Sequence, residues 1–102
     1  MATFSYFLHP PRDNFAETMT DLEQQTWGRH FAWLGELYAA GALILVGVTQ
    51  GTVNTGVGIL EAADEDAARE LVAADPVTQA GLAEGDLRPF DLALMRGTPP
   101  AG

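Results

Sequence analysis

The sequence predicts a single α+β domain of βαββαβ order, the ferredoxin-like plan. Three observations carry this reading. Four short runs have strand character and two longer ones have helical character, in that order along the chain. Two helices can cover only one face of a four-stranded sheet. Yet Ala42–Val48 is apolar at odd and even positions alike, and the first strand sets Phe4, Tyr6 and Leu8 on one face with Phe7 on the other. A monomer would leave on the order of hundreds of Å² of apolar sheet open to water. A two-fold homodimer that packs the open faces together is the expected remedy.

Met1 to Leu8 is rich in aromatic and β-forming residues and ends at His9-Pro10-Pro11, where two prolines stop any ladder. Arg12 to Met19 reads as a loop, with Asp13-Asn14 as turn formers. Thr20-Asp21-Leu22-Glu23 has the spacing of a capping box, so a helix starts here and runs to about Ala40. Gly41 is the natural residue to follow it. Gly28 and Gly35 weaken this helix by roughly 1 kcal/mol each relative to alanine, which is expected to serve close packing on a sheet. Ala42 to Val48 is a buried strand, Gln50 to Gly56 a turn, and Val57 to Glu61 the third strand of a hairpin. Asp64-Glu65-Asp66 opens a second helix that stops near Asp75, because Pro76 disfavours helical geometry in the residue before it. A short turn of helix is expected from Pro76 to Ala80, ending at Gly81. Leu87 to Met95 is the last strand, at a sheet edge where it begins, since Pro89 cannot donate to a ladder. Residues 1–96 are thus one domain and 97–102 a flexible tail.

The chain has fourteen acidic residues against five arginines and no lysine, a formal charge of −9. Such a surface repels nucleic acid and anionic lipid, whose binding begins with positive charge on the protein. Hydrophobic content of 47% excludes a disordered chain. Without cysteine there are no disulfides, thiolate metal sites or cysteine nucleophiles. The longest apolar run, Tyr38 to Val48, is too short to span a bilayer. No secretory signal is visible, and the expected location is the cytoplasm.

His30 is the most informative residue. At about 100° per residue its helix neighbours are Trp27, Trp33, Leu34 and Leu37, all in one apolar arc, while Asp21, Gln25 and Glu36 lie opposite. An imidazole in a buried stripe must find a hydrogen-bond partner or bear a desolvation cost. It is either a satisfied core histidine or a general acid/base. Asp75 is the partner to propose. Asp followed by Pro is also the pattern of an N-cap, and one carboxylate oxygen would remain free for the imidazole. His9 is either an exposed strand end or, beside Arg12, part of a substrate-binding rim in which the guanidinium clamps a carboxylate. Two histidines without HxH or HExxH spacing do not make a metal site, and nothing specifies a cofactor. Gly56-Val57-Gly58 lacks the third glycine of a dinucleotide fingerprint and instead marks a bulge or close backbone approach at a pocket wall. Ser5, the only serine, sits in no nucleophile elbow.

The string from His30 through Ala40-Gly41, with the Ala42–Gly47 run after it, resembles the His-containing helix and second strand of the YCII-related (YciI-like) family. Ala73-Ala74-Asp75-Pro76 with Gly81 downstream resembles that family's second signature. The loop from Pro10-Pro11-Arg12 through Phe15-Ala16 to Thr20 is similar to a stretch found in one subgroup. The resemblance implies a dimeric α/β barrel related to muconolactone isomerases and small monooxygenases, with His30 and Asp75 as a catalytic pair at a cleft. It also implies a chemistry of the kind described for one member, halide elimination from a chlorinated hydroxyquinone with His as the base. The chain departs from the pattern at Gly47-Val48-Thr49-Gln50, where relatives often have a Gly-Pro turn.

The expected function is therefore small-molecule binding, as a cofactor-free lyase or isomerase. The ligand would sit in a pocket lined by Phe4 and Tyr6, with His30 as base, Asp75 orienting it, and Arg12 and His9 at the rim. The alternative is a non-catalytic metabolite-binding or protein-interaction module. A haem- or oxygen-dependent monooxygenase on the same fold is a third reading.

Overall fold

The computed structural model describes residues 1–97. Its elements are β1 (Ala2–His9), α1 (Phe15–Thr18), α2 (Asp21–Ala39), β2 (Leu43–Val48), β3 (Gly56–Ala62), α3 (Glu65–Ala73), α4 (Pro76–Gln79) and β4 (Glu84–Pro89). The strands form one antiparallel sheet in the order β2-β3-β1-β4. Its two halves are joined through the helices, which gives the ferredoxin-like topology expected. The predicted tail beyond Gly97 lies outside the described residues.

Local chemistry sets the helix ends. The Thr20 hydroxyl accepts from Glu23 N–H at 3.1 Å and the Glu23 carboxylate accepts from Thr20 N–H at 2.9 Å, a complete capping box. Gly41, at φ +79°, supplies the left-handed turn after α2. Asp64 caps α3 by accepting from Ala67 N–H at 2.8 Å.

Phe4, Tyr6 and Leu8 of β1 all point toward the helices. There they meet Leu60 and Ala62 of β3, Leu43 of β2, Trp33, Leu34 and Leu37 of α2, Ala68 and Val77. The doubly apolar β2 owes its character to a bulge. Leu43 pairs with Leu60 but Leu45 pairs with Ile59, so Ile44 is the extra residue. The bulge reverses the parity of the strand: Leu45 turns to the open face, while Val46 and Val48 turn to the helix side.

Three expectations are corrected. The stretch before Thr20 is not all loop, because Asn14 adopts a left-handed conformation at φ 56° and starts the single turn α1, which buries Phe15. The last strand is Glu84–Pro89 rather than Leu87–Met95. Phe90 N–H to Thr3 C=O at 2.9 Å is the end of its ladder, since β1 begins at Ala2 and has nothing left to pair with. Gly28 and Gly35 do not pack on the sheet: both are exposed, and a Cβ at either would meet nothing within 4 Å. Gly28→Ala and Gly35→Ala are therefore expected to stabilise the chain by about 0.5–1 kcal/mol each. Denaturant unfolding checks this; a loss of stability in either variant contradicts the exposed placement.

Candidate functional site

Asp75 is the best-buried charged residue, with a relative exposure of 0%. It is held at the start of α4 by its own chemistry, as N-cap with Pro76 at the first helical position. Its Oδ1 accepts from Val77 N–H at 3.1 Å and lies 2.8 Å from His30 Nδ1. Its Oδ2 accepts from the Tyr6 hydroxyl at 2.7 Å. The sequence left one oxygen free for the imidazole. In the structure the capping oxygen itself takes the imidazole, and the other takes a tyrosine from β1.

His30 is 4% exposed and lies between two indoles, with ring centroids 4.9 Å from Trp27 and 5.7 Å from Trp33. An ionised carboxylate can only accept, so Nδ1 carries the hydrogen and the lone pair is left on Nε2. Every fully buried polar side-chain atom among the described residues has a hydrogen-bond partner. Nε2 has no such partner, so it is not sealed in, and His30 is part of the lining of a cavity.

That cavity has a volume of about 160 Å³, room for a substituted six-membered ring. Trp27, Phe31 and Leu34 of α2 form one wall, and Val46 and Val48, turned inward by the bulge, form another. Gly56 and Gly58 form the floor beside Tyr6 and Leu8, as the glycine pattern predicted; a Cβ at Gly56 would press on Leu8 Cβ at 3.1 Å. Phe15, Ala16, Met19 and Asn54 close one end. Among the described residues no Arg, Lys, Asp or Glu lines it.

Of the other site residues read from the sequence, Tyr6 alone is part of this lining. Phe4 is core, 2% exposed, and is not part of the lining of this cavity. His9 is exposed at the end of β1, opposite Glu84 in the ladder, and is also outside this lining. Arg12 is spent within the chain. Its Nη1 and Nη2 donate to Glu23 at 2.9 and 2.7 Å, its Nε and Nη2 reach Thr18, and its guanidinium lies 5.1 Å over the Phe15 ring. It straps α1 to the start of α2. Tyr6 does line the cavity, but its hydroxyl serves Asp75. The sequence assigns no site role to Asn54 or Phe15, and both line the cavity. Asn54 accepts from Ala16 N–H at 3.0 Å and donates to Thr49 and Gly51 carbonyls, tying the β2–β3 loop to α1. Phe15 stacks edge-on against Trp27 at 5.5 Å. The apolar pair Phe15-Ala16 after a turn-forming asparagine was the available signal.

A sequence model of the YCII-related domain matches residues 4–91. The chain belongs to the YCII-related domain family. A search of curated proteins finds no match for this YCII-related domain. Among solved structures it resembles 5-chloro-2-hydroxyhydroquinone dehydrochlorinase (TftG) from Burkholderia phenoliruptrix AC1100, in complex with 2,5-dihydroxybenzoquinone. The TM-score is 0.66 at 20% identity, over 88% of this chain and 95% of that one. At that identity the likeness is one of fold, a mixed α/β arrangement of the kind seen here. No helix among the described residues is long and apolar enough to cross a membrane.

The Arg12 strap has a measurable signature. Its hydrogen bonds, with the Thr20 backbone, hold the Glu23 carboxyl down at about 2 against an ordinary 4.5. The contribution of the strap is thus complete above pH ~4.5 and lost as the pH falls through ~2. A ¹³C titration of Glu23 is expected to show the low value, and Arg12→Ala to return it toward the ordinary range. An unchanged titration in that variant contradicts the strap.

Proposed function

We propose that this YCII-related domain binds a small planar phenol or quinone and acts on it as a cofactor-free lyase or isomerase, with His30 as the base. One observation supports this above others: Asp75 holds Nδ1 of a histidine that lines an apolar cavity, which leaves Nε2 as the nitrogen available to a ligand. A base there can take a proton from a ring hydroxyl or an acidic ring carbon. General-base help of this kind is worth about 10²–10⁴-fold. The uncharged walls favour a ligand without a carboxylate, because a carboxylate buried there would lose its hydration and find no cation in return. Arg12 is therefore not proposed as a clamp, and Phe4 and His9 are not proposed as ligand contacts.

The neighbouring dehydrochlorinase supplies a probe of the right class. With 5-chloro-2-hydroxyhydroquinone the proposed step is a proton shift, in which Nε2 takes a hydroxyl proton and returns it to the ring carbon that bears chlorine. Chloride then departs with its bonding pair as a second hydroxyl loses its proton to solvent, leaving a hydroxybenzoquinone. A second reading, a binding module without catalysis, has its own support. Apart from His30 and the indole N–H of Trp27, no lining side chain offers a free acid or donor, since the Asn54 amide and the Tyr6 hydroxyl are both engaged.

We also propose that the working form is a homodimer. On the open face of the sheet Leu45 is 50% exposed, and Phe7 and Val57 are only half-buried. Beyond β4, Phe90, Leu92 and Leu94 are exposed as well. A second copy is the cover that closes such a face most simply.

Three measurements test these readings. Chloride release from 5-chloro-2-hydroxyhydroquinone is expected to fall by about 10²–10⁴-fold in His30→Gln. Quenching of Trp27 fluorescence by 1,2,4-trihydroxybenzene should survive in that variant. Turnover that survives the substitution refutes the base; binding without turnover in the unaltered protein selects the binding module. Sedimentation at micromolar concentration should give twice the chain mass, and a persistent monomer would remove the dimer.

A further inference from the structure

Tyr6 stands between two cavities. It forms part of the wall beside His30, and it also borders a second, more open cavity of about 290 Å³ with Val72, Thr78, Gly85 and Leu87. Its ring is held edge-on to Trp33, with centroids 6.3 Å apart and planes at 74°. Burial, and then the hydrogen bond to Asp75, push the phenol well above its ordinary range, so the hydroxyl stays a donor.

Gly85 explains how the hydroxyl gets there. It lies within β4, opposite Leu8, where glycine normally weakens a strand. Its φ is not positive, so the backbone does not require glycine. The space does. A Cβ at this position would lie 2.9 Å from Tyr6 Cε1, 3.1 Å from the Tyr6 hydroxyl oxygen and 3.3 Å from Thr78 Cγ2. The missing side chain is the room that the phenol occupies.

We infer that Tyr6 is a positioning residue for His30, acting through Asp75, and that Gly85 is the vacancy in β4 that permits it. The inference rests on the acid–base reading above. Oδ1 of Asp75 is shared between Val77 N–H and the imidazole, while among the described residues only Tyr6 reaches Oδ2. Deleting the hydroxyl leaves a buried carboxylate oxygen without a donor, which is costly. Water entering from the second cavity, or rotation of the carboxylate about its Cβ–Cγ bond, is the available repair. Either one loosens the hold on Nδ1–H. The tautomer with its hydrogen on Nε2, which cannot accept the substrate proton, then gains share.

Long-range ¹H–¹⁵N spectra of the histidines, at a pH where the ring is neutral, test this without any substrate. The unaltered protein should show His30 with a protonated Nδ1 and a bare Nε2. Tyr6→Phe and Gly85→Ala should both shift the balance toward Nε2–H. With 5-chloro-2-hydroxyhydroquinone, kcat in Tyr6→Phe should fall roughly ten- to a hundredfold, the worth of one hydrogen bond to a charged group, with KM little changed. Phenylalanine keeps the ring against Trp33, so this variant decides the matter if Gly85→Ala does not fold. An unshifted His30 tautomer in Tyr6→Phe overturns the inference. Because the tautomer is read directly, it does so whether or not His30→Gln proves His30 to be the base.

Discussion

Everything in this domain is arranged around one carboxylate taken wholly out of water. A buried charge is tolerable only when it is well hydrogen-bonded, and Asp75 obtains its three donors from three different parts of the chain. Val77 N–H comes from its own helix, His30 from 45 residues away on α2, and Tyr6 from 69 residues away on β1. The polar cluster therefore fixes how α2, α4 and the centre of the sheet meet. Apolar contacts among Leu60, Val77 and Leu34 drive the collapse, but they are tolerant of small slips. The Asp75 bonds are not, since a shift of one residue in any partner leaves a charge unsatisfied.

The same constraint makes the site. Holding one imidazole nitrogen leaves the other with a lone pair, and the fold sets that imidazole in the wall of an apolar cavity with no charged residue in its lining. The bulge at Ile44 is what gives the cavity its outer wall, because it reverses β2 so that Val46 and Val48 face inward. A regular strand would have put Leu45 and Gly47 there instead. On the far side, Gly85 gives up a side chain so that Tyr6 can complete the polar cluster. Two local departures from regular strand chemistry thus serve opposite sides of one residue pair.

Much of this was legible in the residues. The capping box at Thr20, the Asp-Pro start of α4 and the apolar arc around His30 are short-range patterns, and each is realised where the pattern placed it. The family likeness of Ala73-Ala74-Asp75-Pro76 drew attention to the right carboxylate. The rest depended on information that no short window contains. α1 is a single turn, shorter than the period by which a helix is recognised. The register of β2 hides in a run that is apolar at every position, and the end of β4 is set by where β1 begins. Arg12 looked like a free cation because its partner Glu23 lies one turn into another element. Gly85 carries no signal of its own in the sequence, and its meaning appears only once Tyr6 lies across it.

A crystal structure of the chain with 1,2,4-trihydroxybenzene bound tests the central claim most directly. The account predicts the ring between Trp27, Phe31 and Val46, with an oxygen or ring carbon about 3 Å from His30 Nε2 and the imidazole still on Asp75. A ring lodged elsewhere on the molecule, or an imidazole turned so that Nε2 meets the carboxylate, would contradict it.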